Sequence, residues 1–215
     1  MLILLPPSEG KNQPARRKKL NLKQLSFAGE LTEARISALG AVEVDENYCD
    51  RASHVYSGVL YQALDLETLS PAARQRASKS VLIISALFGV LHLDDVIPNY
   101  KSKISTSNWK EPLARTLNGM DEQLVVDMRS STYLSAWVPN PENTVGIRIF
   151  TKVNGERKVI THMSKKYRGE IARYLLQQRT RPTTPNELNA LLKEEFTCTL
   201  IKQSGKQSWF IDVIV

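Results

Sequence analysis

The sequence has few cysteines and histidines, and it lacks long apolar runs. Its 215 residues include only two cysteines and three histidines. Cys49 and Cys198 lie far apart without a CxxC pair, and no histidines show the HExxH spacing, so we expect reduced thiols and no metal site or cofactor. No apolar run approaches the roughly 18 residues of a membrane span. Residues 1–5 are too few for a signal peptide's apolar region and lead into two prolines, so we expect a cytoplasmic protein with no membrane partner.

Charge is distributed unevenly along the chain. Lys and Arg number 29 against 22 Asp and Glu, which gives a formal net charge of +7. Residues 1–23 carry +5, residues 24–70 carry −6, residues 71–150 carry +2 and residues 151–215 carry +6. A surface of one sign attracts polyanions such as nucleic acids, although the same excess can also be an ordinary solvated basic surface.

Short apolar runs alternate with helical patterns early in the chain, and hairpin patterns come late. This order predicts one α/β domain over residues 1–215, with a mixed sheet flanked by helices. Buried strands are predicted at residues 1–5, 81–84 and 124–128. Hairpins are predicted from residues 144–150 with 157–163, across Asn154–Gly155, and from residues 197–202 with 208–215. Helices are predicted at residues 31–41, 55–66, 109–118 and 166–179, with further starts at Ser70 and at Thr184.

Two loops that follow predicted strands carry cations. Ser8, Glu9 and Lys11 follow the first strand, where a glycine-bearing turn and a lysine can hold an anion. This is not a Walker loop, because the GxxxxGK[ST] spacing is absent. Tyr100 and Lys101 follow the second strand, where a ring can stack on a base and a cation can grip a phosphate. Each loop also fits a plainer interpretation, as a surface turn and as a basic loop with a half-buried tyrosine.

The end of the third predicted strand carries a carboxylate, a guanidinium and a phenol, from Asp127, Arg129 and Tyr133. Polar groups at strand ends are typical of ligand sites in α/β proteins. The same three residues can equally form an internal salt bridge beside a packed ring.

The strongest polyanion signal is the segment from Arg157 to Arg181, with eight basic residues and one acidic residue. Lys166 and Glu170 are spaced to pair on one face of a helix, which would use one of these charges. His162 stands just before two lysines that disfavour its charged form, so we expect a neutral histidine that is not a metal ligand.

Five motifs occur in order along nearly the whole chain. They are PPSEGK at 6–11, YSGVLYQALD at 56–65, SALFGVLHLDDVIPNYK at 85–101, VVDMRSSTY at 125–133 and HMSKKYRGEIARYLL at 162–176. Together they resemble the YaaA family, the peroxide-stress proteins of bacteria, and the short PPSEGK form resembles its actinobacterial branch. The resemblance implies an α/β protein of unusual topology with a positively charged cleft. It also implies protection from hydrogen peroxide, low free iron and DNA binding, with a helix-hairpin-helix in the N-terminal half of the family's DNA-binding member.

The resemblance also implies which residues line the cleft. The matching positions are Ser8, Glu9, Lys11, Tyr61, Tyr100, Lys101, Ser131, Tyr133, Lys165, Lys166, Arg168 and Gly169. Lys101 stands where the family usually has arginine, which keeps the charge and loses the bidentate fork. Residues 85–92 read SALFGVLH where the family more often reads SGLYG. Residues 20–56 are a short stretch within the acidic part of the chain, so we expect DNA contact through the C-terminal basic helix.

Our main hypothesis is a cytoplasmic peroxide-stress protein that binds DNA non-specifically through a basic cleft. Its nucleic-acid or anion-binding residues would be Ser8, Lys11, Tyr61, Tyr100, Lys101, Arg129, Tyr133, Lys165, Lys166 and Arg168. The alternative is an enzyme acting on a nucleotide, a base or another phosphorylated small molecule, with Glu9, Asp127 and His162 as candidate acid and base groups. A third hypothesis is a basic face that meets an acidic partner protein. Both leading hypotheses predict that the motif loops meet at one site.

Overall fold

The structure is a computed structural model that describes residues 1–153, 156–159, 163–205 and 207–215. Within these ranges the chain forms ten strands and eight α-helices. The strands are β1 (Leu2–Leu5), β2 (Cys49–Arg51), β3 (Val81–Ser85), β4 (Gly89–Leu91), β5 (Val96–Pro98), β6 (Val125–Asp127), β7 (Thr144–Val153), β8 (Glu156–Val159), β9 (Cys198–Ile201) and β10 (Trp209–Ile214). The α-helices are α1 (Ala28–Leu39), α2 (Ala52–Val55), α3 (Val59–Leu64), α4 (Pro71–Ser80), α5 (Thr106–Thr116), α6 (Ser131–Leu134), α7 (Ser164–Gln177) and α8 (Pro185–Leu192). Short 3-10 helices span Leu22–Gln24, Leu66–Thr68 and Met120–Glu122. None of the helices in these ranges is long and apolar enough to cross a membrane.

Most of the strands form one mixed sheet in the order β4-β3-β1-β6-β7-β10-β9, and β8 pairs with β7. Five adjacent strands run parallel to one another, in the order β3, β1, β6, β7 and β10. Three strands are antiparallel to their partners: β4 to β3, β8 to β7 and β9 to β10. This is the α/β fold with a mixed sheet and flanking helices that the sequence predicts.

Strand β1 lies in the interior of the sheet, and all four of its side chains are buried. Its residues alternate between two cores because successive side chains of a strand point to opposite faces. Ile3 and Leu5 pack on the side of α3, α4 and α7, whereas Leu2 and Leu4 pack on the side of α1 and α5. Burial on both faces explains why the strand is a continuous apolar run.

The helix predicted at residues 55–66 is interrupted. Helix α2 ends at Val55 and α3 begins at Val59, because the backbone between them bonds to the loop after β1. The Gly58 N–H donates to Ser8 Oγ at 2.7 Å, and a Cβ on Gly58 would lie 2.3 Å from that oxygen. A local helical pattern does not reveal this contact, since the two partners are 50 residues apart.

Residues 20–56, all of which the structure describes, contain the 3-10 helix Leu22–Gln24, α1, β2 and the single-turn α2. Strand β2 pairs antiparallel with β5 in a separate two-stranded sheet. Because β2 separates α1 from α2, these two α-helices are not joined directly by a hairpin of the kind that the family resemblance implies for its DNA-binding member.

Both predicted late hairpins are antiparallel pairs, β7 with β8 and β9 with β10. The Asn154–Gly155 turn lies outside the described residues. Strand β10 also pairs in parallel with β7, which joins the C-terminal hairpin to the main sheet.

Candidate functional site at the carboxyl edge of the sheet

The carboxyl ends of β3, β1 and β6 lie side by side. Leu5 is opposite Ile83, and Leu4 is opposite Asp127, so the segments that leave these strands emerge at one edge of the sheet. Three of the sequence motifs begin at this edge. Open α/β sheets bind ligands at the carboxyl ends of their strands, and the site is therefore built here.

The loop after β1 is held by its backbone. Gly10 O accepts from Ser57 N at 3.2 Å, and Asn12 N donates to Val55 O at 2.8 Å. Ser8 Oγ donates to Gly10 O and accepts from the N–H of the Gly58 turn. The Ser8 hydroxyl is thus engaged in holding the loop, and the geometry favours a positioning role for it.

Lys11 leaves this loop toward a row of buried hydroxyl groups. The Tyr100 hydroxyl lies 2.8 Å from both the Tyr56 hydroxyl and Ser85 Oγ. Lys11 Nζ lies 4.4 Å from the centre of the Tyr100 ring and 5.8 Å from that of Tyr56, within the range of cation–π contacts. Burial raises the pKa of both phenols, so they stay protonated at neutral pH.

Tyr100 and Tyr61 are both buried, at 5% and 7% exposure. The Tyr61 hydroxyl donates to Pro6 O at 2.7 Å, and its ring stacks on Tyr56 with centroids 5.3 Å apart. Lys11 covers the Tyr100 ring. Neither ring is open to stack on a base in this arrangement. The structure therefore favours the plainer interpretation of the Tyr100 loop, in which the tyrosine packs inside the protein.

Arg129 forms an internal network at the end of β6. Its Nε and Nη2 donate to the two carboxylate oxygens of Asp127 at 2.9 and 2.7 Å. Its Nη1 donates to the carbonyl oxygens of Tyr133 and Trp137. The Arg129 side chain is only 1% exposed. The geometry therefore favours the salt-bridge alternative, in which Arg129 shapes the strand end and Asp127 is already paired.

Tyr133 is half-buried beside this network. Burial raises the pKa of its hydroxyl, and the negative charge of Glu9 adds to the effect. Glu9 is itself exposed on the loop after β1. A phenol and a carboxylate thus stand on segments that leave two adjacent strand ends.

The N-terminal turn of α7 reaches the same edge. Arg168 Nη1 donates to Arg129 O at 3.4 Å, and Arg168 Nε is buried with no hydrogen-bond partner among the described residues. Burial lowers the pKa of Arg168, and the nearby Asp127 charge opposes this. Arg168 is therefore a partly buried cation with one unsatisfied donor, and such a group favours binding of an anion.

Gly169 allows α7 to approach α3 closely. A Cβ at this position would lie 2.2 Å from Leu60 O and 2.8 Å from the Ala63 Cβ. Because Arg168 precedes it directly, this close packing sets where the guanidinium lies.

Glu9 and Lys11 after β1, Tyr133 after β6 and Arg168 on α7 thus belong to segments that meet at this edge of the sheet, and we call these four residues the edge site. Other predicted residues lie around it. Lys101, Ser131, Lys165 and Lys166 are exposed, and Lys166 pairs with Glu170 at 3.4 Å, as the spacing predicts. The prediction for His162 falls outside the described residues.

A cavity of about 250 Å³ opens on the far side of the tyrosines. Its lining includes Tyr56 and Tyr61 together with His54, Gln62 and Arg74. Of the residues predicted for the site, only Tyr61 lines this cavity. The edge site and the cavity are therefore separate features that share a wall.

Sequence reasoning missed three residues that build the site. Tyr56 and Ser85 complete the hydroxyl row, and Gly58 makes room for Ser8. Tyr56 and Gly58 stand in the YSG start of the second motif, and Ser85 opens the third. A sequence signal was therefore present, although it did not show that these residues face the first loop.

Comparison with known proteins decides the family. The chain matches the family model described as peroxide stress protein YaaA over residues 25–200. It belongs to the YaaA family. A UPF0246 protein of Streptomyces coelicolor is 33% identical over 260 aligned positions, which cover 100% of this chain and 98% of that protein. A UPF0246 protein of Corynebacterium efficiens is 35% identical, covering 97% of this chain and 98% of its own length. One from Shewanella halifaxensis is 29% identical, covering 76% of this chain and 68% of its own length.

Similarity is thus higher to the two actinobacterial YaaA relatives than to the Shewanella one. This agrees with the branch that the PPSEGK motif indicates. The family name supports a role in peroxide stress.

Proposed function

We propose that this YaaA protein acts in the cytoplasm during peroxide stress and binds DNA with little sequence preference, mainly through phosphates. The observation that carries the proposal is Arg168, which brings a partly buried guanidinium with an unpartnered Nε to the edge site. The excess of cations over acids in residues 151–215 supports it, because phosphate contacts dominate non-specific DNA affinity.

Exposed lysines around Arg168 extend the basic surface. Lys165 and Lys166 lie in the first turn of α7, and Lys101 lies beyond the buried Tyr100. Within the described ranges, Lys101 and Lys165 form no ion pair, whereas Lys166 is partly neutralised by Glu170. Three to five cations are thus available for phosphates when Lys11 and Arg168 are included.

The described residues contain no group of three or more His, Cys, Asp or Glu side chains that could hold a metal ion. The proposal therefore does not include iron binding by these residues. The low free iron that the family resemblance implies stays a hypothesis, and it concerns the iron level of the cell.

Salt dependence tests the DNA proposal. Each phosphate contact contributes a slope of about −0.9 to log K against log salt on duplex DNA, so three to five contacts predict a loss of roughly 40- to 500-fold between about 50 and 200 mM salt. The affinity of a fluorescent duplex would be measured by anisotropy across this range. Lys165→Ala with Lys166→Ala should flatten the slope by up to about two units.

The control removes the same charge elsewhere. Lys79 and Lys193 are exposed at the ends of α4 and α8, so their double Ala variant should keep the slope of the wild type. Absence of binding at the lowest salt, or equal slopes for the two double variants, would contradict the proposal. In that case the basic segment is a solvated surface.

A second candidate function is an enzyme acting on a phosphorylated small molecule. The observation that favours it is that Glu9 and Lys11 follow β1 and Tyr133 follows β6, two neighbouring strands whose carboxyl ends lie at one edge of the sheet. In this case the same cations would hold the phosphate of a small substrate.

A further inference from the structure

Lys11 differs from the exposed lysines of this protein in how it is held. The neighbouring backbone bonds to residues 55 and 57 on both sides of it, through Asn12 N and Gly10 O. Asn12 Nδ2 adds a hydrogen bond of 2.9 Å to His54 O. These bonds fix the backbone at Lys11, and the amine itself lies 4.4 Å from the centre of the Tyr100 ring.

The surroundings of the Lys11 amine are largely uncharged. The Tyr100 and Tyr56 rings lie under it, and no carboxylate forms an ion pair with it in the part of the chain that is described. Glu9, Tyr133 and Arg168 are the other titratable groups at the edge site. Burial lowers the pKa of the Lys11 amine, and the Glu9 charge acts against this.

Partial burial without an ion pair favours the Lys11 amine as a nucleophile. A protonated amine has no free electron pair, so partial burial without an ion pair enlarges the fraction that can attack a carbonyl. The same environment is used by lysines that form Schiff bases.

We propose that Lys11 is a carbonyl-capturing nucleophile, which forms an imine with an aldehyde that carries a phosphate nearby. The Nζ electron pair attacks the aldehyde carbon to give a carbinolamine. This loses its hydroxyl group as water, with one proton taken up, and leaves a C=N bond to Nζ. Glu9, two residues from Lys11 on the same loop, and solvent exchange these protons.

The phosphate requirement comes from Arg168. It lies at the strand end next to the Lys11 loop: Arg168 bonds to Arg129 at the end of β6, and β6 pairs with β1, which the Lys11 loop follows. The positive charge of its guanidinium attracts a phosphate much more strongly than a neutral aldehyde.

Two sources supply such an aldehyde. One is the ring-opened sugar of an abasic site in DNA, a choice that rests on the proposed function, and the other is a free sugar phosphate. The amine chemistry is the same for both, so the experiment includes one arm for each.

Borohydride trapping tests the inference. The full-length protein is incubated with an abasic duplex or with 2-deoxyribose 5-phosphate, and borohydride then reduces any imine to a stable secondary amine. Peptide mapping by mass spectrometry should place the adduct on Lys11. Lys11→Arg should lose it, whereas Lys79→Arg should keep it.

Binding of an intact duplex is measured alongside. Lys79→Arg lies outside the edge site, so it should keep both the wild-type salt slope and the adduct on Lys11. An adduct with the sugar phosphate only, without duplex binding, would support the inference and contradict the DNA proposal. Trapping that is absent, or spread over exposed lysines and unchanged in Lys11→Arg, would overturn the inference even where duplex binding holds.

Discussion

Gly169→Ala should destabilise the protein, although alanine is normally the better helix former. The added Cβ would lie 2.2 Å from Leu60 O and 3.0 Å from Leu64 N, and both atoms belong to the backbone of α3. Helix α3 or α7 must therefore shift. Overpacking costs about 1–3 kcal/mol, and a backbone contact this short places the cost at the upper end.

The net effect follows from two opposing terms. Replacing glycine by alanine inside a helix contributes about 1 kcal/mol of stability, so about 2 kcal/mol of destabilisation remains after a cost of about 3 kcal/mol. For a chain of this size, that corresponds to a fall of roughly 4–8 °C in Tm. Because Arg168 is the preceding residue, the shift should also weaken duplex binding.

Gly29→Ala is the matched control. Gly29 lies in α1, and nothing lies within 4 Å of its added Cβ, so this variant should gain up to about 1 kcal/mol. Thermal unfolding followed by circular dichroism measures both variants. A Gly169→Ala protein as stable as the wild type would refute the close packing of α3 on α7.

Two further predictions concern buried groups. Arg129→Met leaves Asp127 buried without its partner and should cost about 3–5 kcal/mol in urea unfolding, whereas Arg51→Met, at an ion pair with Asp94 that is exposed on both sides, should cost about 1 kcal/mol or less; equal costs would contradict the network. Burial first, and then nearby acidic residues, raises the pKa of the Cys49 thiol to about 11. In a Cys198→Ser background, native Cys49 should react with iodoacetamide at pH 8 at least about 100-fold more slowly than in urea, with a rate that rises about tenfold per pH unit toward pH 11. Since this pKa is higher in the folded state, its contribution to stability is full below the pKa of the unfolded thiol and declines as pH rises above it. A native rate close to the unfolded rate would refute the burial of Cys49.

Much of the secondary structure could be predicted because it depends on neighbouring residues. The apolar runs at residues 1–5 and 81–84 become β1 and β3, since burial on both faces demands apolar side chains throughout. Ser70 caps α4 as predicted, with its side chain accepting from Ala73 N. Local capping and periodicity thus carry this information within a few residues.

The chemistry of the site was only partly predictable. The motifs indicated that Lys11, Tyr133 and Arg168 serve one site, and this stays a prediction; the structure shows that Lys11 follows β1, that Tyr133 follows the neighbouring β6, and that Arg168 bonds to Arg129 at the end of β6. They did not show that Arg129 points inward onto Asp127, or that Tyr100 is buried beneath Lys11. A cation or a ring at a strand end has the same sequence pattern whether it faces a ligand or another part of the protein.

The sequence by itself determined seven of the ten described strands, most helices, the family and the residue types at the strand ends, and it did not predict the short strands β2, β4 and β5. Only the tertiary structure decided which of these residues stay available. The order of β3, β1 and β6 brings segments from distant parts of the chain to one edge, and the bond between Ser8 and Gly58 interrupts a helix that its own residues favour. Both outcomes depend on contacts between residues dozens of positions apart, whose energies no local pattern contains.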